Sequence, residues 1–220
     1  MSLNVRRWLV VGCGLLLALC AGCNKGAEQQ TRDYDGPDDA AGAAVKKNVT
    51  PQPDAQVAVL ETDYGRIVIE LYPNVAPQQV ARFKQLAGEG FYNGTTFHRI
   101  DPDLGIIQGG DPNSKDNNPA NDGTGSSPLP NLPAEFSDLP YERGTVGAAR
   151  AQDVNSANCQ FFITLKRQPM FDQRYTVFGK VIQGLNEADI ISHAPLAEGT
   201  QDRPADKIVV KSVELENRKP

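Results

Sequence analysis

Apolar and polar residues follow β-strand patterns along much of the chain after residue 55. Two β-rich stretches, 57–60 and 67–71, flank the turn-forming tripeptide Asp63-Tyr64-Gly65 and predict a β-hairpin. Six further short stretches have a similar composition: 95–100, 106–109, 145–149, 160–165, 177–181 and 208–213. Together these patterns predict eight strands.

Helical spacing occurs twice. Pro77 suits a first helical turn, and apolar residues then recur at Val80 and Phe83 and onward until Gly88. A second, shorter helix is predicted over 185–191, where apolar residues stand three apart. Eight strands and two helices predict a mainly β fold, a closed eight-stranded antiparallel barrel capped by the helices.

The first residues have the pattern of a leader. Arg6 and Arg7 precede a 12-residue apolar run, 8–19, which is too short to span about 30 Å of hydrocarbon as a helix. The run ends in Leu-Cys-Ala-Gly-Cys, which resembles the lipobox of bacterial lipoproteins. We therefore predict a signal peptide over residues 1–22 and lipidation of Cys23, with a simple secretory signal as the alternative.

A polar stretch follows the leader. Residues 24–55 are rich in Ala, Gly, Gln and Asp and poor in large apolar side chains, so they are predicted to form a flexible tether ending near Pro51 and Pro53. The domain organisation is then a signal (1–22), a lipidated cysteine with its tether (23–55) and a folded domain (56–220). This places the domain in the bacterial cell envelope, anchored to a membrane and facing the periplasm or the exterior.

Composition excludes several classes of protein. The chain is 40% hydrophobic and 22% charged, as in ordinary soluble domains. Its net charge of −5 becomes −7 once Arg6 and Arg7 leave with the leader, so no nucleic-acid partner is expected. The two histidines, His98 and His193, are far apart, and neither a metal nor a cofactor is predicted. Three of the four cysteines lie within the first 23 residues, which excludes a disulfide framework.

The segment 111–141 is unusually long for a loop. It contains six prolines and many Asn, Asp and Ser residues. Loops of this length inside a domain are either functional or mobile. A functional loop and a tolerated surface excursion therefore both remain open.

Five motifs occur in order between residues 97 and 181. They are Phe97-His98-Arg99-Ile100, Ile107-Gln108-Gly109-Gly110-Asp111, Gly123-Thr124-Gly125, Gln160-Phe161-Phe162-Ile163 and Val177-Phe178-Gly179-Lys180-Val181. In this order they resemble the cyclophilin family of peptidyl-prolyl cis-trans isomerases, over nearly all of residues 56–215. The resemblance implies an eight-stranded closed barrel with a helix at each end and an active groove on its outer face.

The reaction of that family needs no nucleophile or metal. Rotation about an X–Pro bond crosses a barrier of about 20 kcal/mol, because C–N resonance is lost at the twisted transition state. The prolyl nitrogen regains its lone pair only in that state. Arg99 is a permanent cation with directional donors, and by resemblance it aligns with the catalytic arginine of the family. The resemblance also implies that Gln108 holds the neighbouring carbonyl and that backbone groups at Arg150 bind the peptide as an added strand.

The proline ring needs an apolar slot. The resemblance places Ile106, Phe162 and Phe171 in it. His98, beside Arg99, is a candidate for substrate contact, with a hydrogen-bonded scaffold role as the alternative. Three other aromatic residues are assigned to the core: Phe97, Phe161 and Phe178.

Three positions depart from the family pattern. Gly105 stands where the family usually has an aromatic residue in the pocket. The chain carries one extra residue between Arg99 and Gln108, so Leu104 is a candidate to fill the place of that aromatic residue. Met170 replaces a frequent tryptophan, which argues against tight binding of cyclosporin. Tyr175 replaces a histidine of many members and is retained as a candidate for substrate binding.

Two functions follow from these features. The favoured one is a membrane-tethered prolyl isomerase that assists the folding of secreted or envelope proteins. The alternative is a non-catalytic module that binds proline-containing segments. This alternative stays open because of Gly105 and the extra residue between Arg99 and Gln108. The expected partners are proline-containing unfolded or extended polypeptides, and the chain is expected to be a monomer. Cys159 is not expected to take part in catalysis.

Overall fold

The computed structural model describes residues 43–219, all within one compact unit, Gly36–Pro220. The predicted signal peptide 1–22 and Cys23 lie outside the described residues. Among residues 43–219, no helix is both long enough and apolar enough to cross a membrane.

The fold is mainly β, as predicted. Its strands are β1 (Val45–Lys46), β2 (Gln56–Thr62), β3 (Gly65–Leu71), β4 (Arg99–Asp101), β5 (Ile106–Gly109), β6 (Phe136–Ser137), β7 (Thr145–Ala148), β8 (Phe161–Thr164), β9 (Val177–Gln183) and β10 (Val210–Asn217). The helices are α1 (Pro77–Gly88) and α2 (Leu185–Ser192), with short 3-10 helices at Pro112–Lys115 and Pro169–Phe171. The short strands β1 and β6 are additions to the predicted eight.

The eight predicted strands form one antiparallel sheet in the order β10-β2-β3-β9-β7-β8-β5-β4. This sheet is a curled half-barrel, so the prediction of a closed barrel is not confirmed. Residues 94–97 contact residues 208–210 through the isolated bridge from Thr96 to Val209 and through three backbone hydrogen bonds of 2.8–2.9 Å. The predicted strand 95–100 is regular only from Arg99 onward, so these contacts do not form a continuous ladder between β4 and β10.

The hydrophobic core lies on the inner face of the curled sheet. Phe83 of α1 places its ring 5.0 Å from that of Tyr92, 5.6 Å from that of Phe161 and 5.4 Å from that of Phe178. Phe97 is fully buried in the same cluster. The assignment of Phe97, Phe161 and Phe178 to the core is therefore confirmed.

Helix α1 takes its N-terminal cap from a distant loop. Ala76, at the cap position, has no side-chain acceptor to offer. The buried carboxylate of Glu135 instead accepts from the backbone N–H of Gln78 and Gln79, at 3.1 and 2.9 Å. A carboxylate at this position satisfies open N–H groups and lies at the positive end of the helix dipole. The long loop 111–141 therefore helps to hold α1 in place.

Part of the predicted tether is folded. Strand β1 pairs in parallel with β6. The Lys46 ammonium donates to the Val75 carbonyl at 2.7 Å, and the Asn48 N–H donates to the Asp138 carboxylate at 2.6 Å. These contacts attach the chain to the domain before residue 56.

The attachment continues along residues 45–54, which we call the N-terminal strap. The Gln52 N–H donates to Asn74 Oδ1 at 2.8 Å, and Lys84 forms an ion pair with Asp54 at 2.9 Å. The predicted start of the domain at residue 56 is therefore too late. Sequence reasoning missed the strap because backbone pairing and polar contacts, rather than apolar side chains, hold it.

We predict that the strap stabilises the domain. A chain beginning at Gln56 should unfold about 4–8 °C lower than one beginning at Ala43, because the lost hydrogen bonds and ion pair are worth about 2 kcal/mol after the entropy of ordering is subtracted. Thermal unfolding followed by circular dichroism measures this difference. Equal melting temperatures for the two chains would show that the strap contributes nothing.

Candidate active site

The site residues stand on three neighbouring strands. The register places Arg99 of β4 opposite Gln108 of β5, and Gln108 opposite Phe162 of β8. Because side chains alternate between the two faces of a sheet, these three form one row on the face away from the core. The adjacent row, Ile100, Ile107 and Ile163, belongs to the core cluster.

Three acceptors hold the Arg99 guanidinium. Its Nε donates to Asp202 Oδ2 at 2.8 Å, and its Nη2 lies 3.3 Å from Asp101 Oδ2. Its Nη1 lies 3.5 Å from Gln108 Oε1. The side chain is only 17% exposed. These contacts fix the orientation of the guanidinium plane.

Gln108 connects Arg99 to the long loop. Its Nε2 donates to Gln160 Oε1 at 3.0 Å. Gln160 Nε2 in turn donates to the carbonyls of Gly123 and Gly125, at 3.1 and 2.9 Å. A continuous chain of hydrogen bonds thus runs from the guanidinium to the glycine motif of the loop 111–141.

The start of that loop is fixed by Asp111, which is fully buried. Its carboxylate accepts from the N–H of Asn113 at 2.8 Å and from the N–H of Gly123. A Cβ atom at Gly125 would collide with the same carboxylate, so the glycine is required by this close approach. The contacts of the loop with Gln160 favour a functional loop over a tolerated excursion.

An aromatic cluster stands beside the row. The ring of Phe162 lies 5.4 Å from Phe171, 5.5 Å from Tyr175 and 5.5 Å from Tyr141, measured between centroids. Phe171 and Tyr175 are themselves 5.2 Å apart. These residues stand apart from the main core cluster and form a separate aromatic cluster around Phe162.

Tyr141 was not identified from the sequence. It is fully buried and stacks on Phe162 with an angle of 22° between the rings. Burial raises the pKa of its phenol well above the ordinary value, so the ring stays neutral. A tyrosine inside a proline-rich loop carries no periodic signal, and only the register of the folded chain brings it to the site.

The turn between β4 and β5 explains the departure at Gly105. This residue has a φ of +70°, and a Cβ atom there would lie 2.6 Å from Lys166 Cγ. An aromatic side chain is therefore disfavoured in this longer turn. Leu104 is half-buried in the turn, where its carbonyl accepts from Gln168 Nε2, while Ile106 is buried two residues before Gln108 on the same face.

The other predicted site residues lie around the row. The Arg150 guanidinium stacks over the Tyr175 ring, 4.8 Å from its centroid, and Nη1 donates to the carbonyls of Ala151 and Gln152. The structure thus assigns a packing role to the Arg150 side chain, besides the backbone role predicted for that residue. His98 is buried next to Arg99 in the chain.

Cys159 has no catalytic environment. It is 1% exposed and belongs to the core cluster. Burial raises the pKa of its thiol to about 11, so the thiol stays protonated at neutral pH.

Comparison with known proteins agrees with this geometry. The family model "Cyclophilin type peptidyl-prolyl cis-trans isomerase/CLD" matches residues 57–215. A probable peptidyl-prolyl cis-trans isomerase of Brucella suis is 42% identical over 164 residues, covering 73% of this chain and 83% of that protein. A peptidyl-prolyl cis-trans isomerase of Schizosaccharomyces pombe is 35% identical over 162 residues, covering 71% and 97%.

A solved structure is also similar. The crystal structure of a Cryptosporidium parvum cyclophilin-type isomerase, determined in the presence of the dipeptide Ala-Pro, is 28% identical, with a TM-score of 0.65. The match covers 74% of this chain and 99% of that one. The fold and these relatives thus define a peptidyl-prolyl cis-trans isomerase. The chain belongs to the cyclophilin-type peptidyl-prolyl cis-trans isomerase family.

We predict that Cys159→Ser retains isomerase activity within about twofold of wild type, because the thiol is buried away from the row and protonated at neutral pH. A protease-coupled proline isomerisation assay measures this. Complete loss of activity in a variant that still unfolds cooperatively at the wild-type temperature would show a role for the thiol.

Proposed function

We propose that this isomerase works by stabilising the twisted prolyl amide with the Arg99 guanidinium. The observation that carries the proposal is the row Arg99, Gln108 and Phe162, in which a fixed cation, an amide and an aromatic ring stand side by side on adjacent strands. A proline ring packed against Phe162 would place its nitrogen toward Arg99. A donor there strengthens its interaction as the lone pair localises, and so binds the transition state better than the ground state.

The required energy is within reach of such a site. Shortening an isomerisation of tens of seconds to about a millisecond needs on the order of 10⁴-fold, or about 5.5 kcal/mol of transition-state preference. One preorganised hydrogen-bond donor supplies about 2.7–4 kcal/mol in other enzymes. Two further groups would contribute the remainder. Gln108 would hold the carbonyl before proline, and the aromatic cluster around Phe162 would orient the proline ring.

Arg99→Ala should lower kcat/KM by roughly 10²–10³-fold, because the charged donor at the prolyl nitrogen is lost. Arg99→Lys should recover only part of the loss, since an ammonium lacks the planar fork that Asp101, Gln108 and Asp202 hold. The assay follows isomerisation of a proline tetrapeptide by the full-length chain in detergent, coupled to cleavage of the peptide by an added protease.

The matched control is Arg66→Ala. Arg66 also forms ion pairs, with Glu61 and Glu216, but it stands on β3. This variant should keep wild-type activity. A wild-type chain that binds proline peptides without isomerising them would instead support the non-catalytic binding module.

We further propose that the domain is anchored to a membrane through a lipid on Cys23 and serves secreted or envelope proteins as they fold. The support is the leader and the lipobox-like ending before Cys23. About 20 residues separate Cys23 from the first described residue, and a chain of that length can span up to about 65 Å. That distance would let the groove reach extended polypeptides near the membrane surface. Several acyl chains, at about 0.8 kcal/mol per buried CH₂, make such an anchor durable.

Cys23→Ala should release the protein from the membrane fraction and abolish its labelling by a palmitate analogue in cells, because the acylated side chain is gone. Cys20→Ala, three residues earlier, is the matched control and should remain membrane-bound and labelled. A Cys23→Ala protein that stays firmly in the membrane would rule out this anchor.

A further inference from the structure

The loop between α2 and β10 is closed on itself. An isolated bridge joins Leu196 to Pro204, the Ala197 N–H donates to the Arg203 carbonyl at 2.9 Å, and the Ala205 N–H donates to the Pro195 carbonyl at 2.8 Å. Asp202 lies within this hairpin-like loop. Its position is therefore defined by backbone pairing on both sides.

Asp202 contacts β4 twice. Its carbonyl accepts from the N–H of Ile100 at 2.7 Å, on the outer edge of the sheet, since β4 is the last strand. Its carboxylate accepts from Arg99 Nε at 2.8 Å. The first contact fixes the backbone of Asp202 beside Arg99, and the second uses that placement to hold the guanidinium.

These contacts determine the direction of Arg99. A guanidinium is planar and rigid, so fixing Nε by Asp202 and Nη2 by Asp101 also fixes the direction of Nη1. Nη1 lies on the side of Gln108, and Phe162 is the next residue of the row beyond Gln108. The two carboxylates thus face one side of the guanidinium, away from the place where a proline would bind.

We propose that Asp202 is a positioning residue for the isomerase reaction, which aims the Arg99 guanidinium along the row toward the prolyl nitrogen. This rests on the role proposed for Arg99. Sequence reasoning did not find Asp202, because it lies in a loop that carries no motif, 103 residues beyond Arg99. In this role Asp202 acts through Arg99, so its loss should alter catalysis rather than peptide binding.

The test measures kcat and KM separately for the full-length chain. Asp202→Ala should lower kcat about tenfold, since misplacing a catalytic group by about 1 Å costs up to 10²-fold, while KM stays within about twofold. Asp202→Asn keeps an oxygen that can accept from Nε and should retain more activity than Asp202→Ala. Asp206→Ala, an exposed acidic residue of the same loop, is the matched control and should match wild type in kcat and in melting temperature.

A second arm separates positioning from a structural effect. In an Arg99→Ala background, Asp202→Ala should change kcat by less than about twofold, because a residue acting only through Arg99 has nothing left to position. The same tenfold loss in that background, or a kcat within twofold of wild type for Asp202→Ala alone, overturns the proposal. If Asp202→Ala lowers the melting temperature, the comparison of the two backgrounds decides: a loss of kcat that appears only beside Arg99 supports positioning, and a loss of the same size in both backgrounds overturns it.

The two proposals fail in different ways. An Arg99→Ala variant with full activity overturns the role of Arg99 and with it that of Asp202. An impaired Arg99→Ala variant beside a fully active Asp202→Ala variant overturns only the positioning role.

Discussion

The register of β4, β5 and β8 is the constraint on which the site depends. Because side chains alternate along a strand, a slip of one residue would exchange the two faces of these strands. The register that buries Ile100, Ile107 and Ile163 in the core therefore also sets Arg99, Gln108 and Phe162 in one row on the other face. Each buried isoleucine contributes about 1.5–3 kcal/mol, so the core itself enforces the arrangement of the site.

Polar contacts then make this row rigid. Carboxylates from β4 and from the loop before β10 hold Arg99, while Gln108 is tied through Gln160 to the glycine motif of the long loop. The same loop caps α1 through Glu135. An isomerase that performs no covalent chemistry depends on groups that are already in place, because reorganising them during the reaction would consume the energy they supply. The long loop is thus part of the support of the site.

Much of this could be predicted from the sequence where a local pattern carries the information. The strands around Asp63-Tyr64-Gly65 and helix α1 followed from spacing, and the motifs around Arg99 and Gln108 indicated the family. The core aromatics followed from their position inside predicted strands. The predicted closed barrel is not confirmed, because the pattern of residues 95–100 does not show that this stretch has regular strand geometry only from Arg99 onward. The N-terminal strap, Tyr141 and Asp202 were missed for a related reason: their partners are far away in sequence, and polar or loop contacts leave no periodic signal.

The most direct test of the central claim is a crystal structure of this chain with a bound proline-containing peptide. We predict a proline ring packed against Phe162, with the prolyl nitrogen facing Nη1 of Arg99 and the preceding carbonyl near the side-chain amide of Gln108. A proline bound at another site, with the Arg99 guanidinium directed away from it, would contradict the proposed role of Arg99.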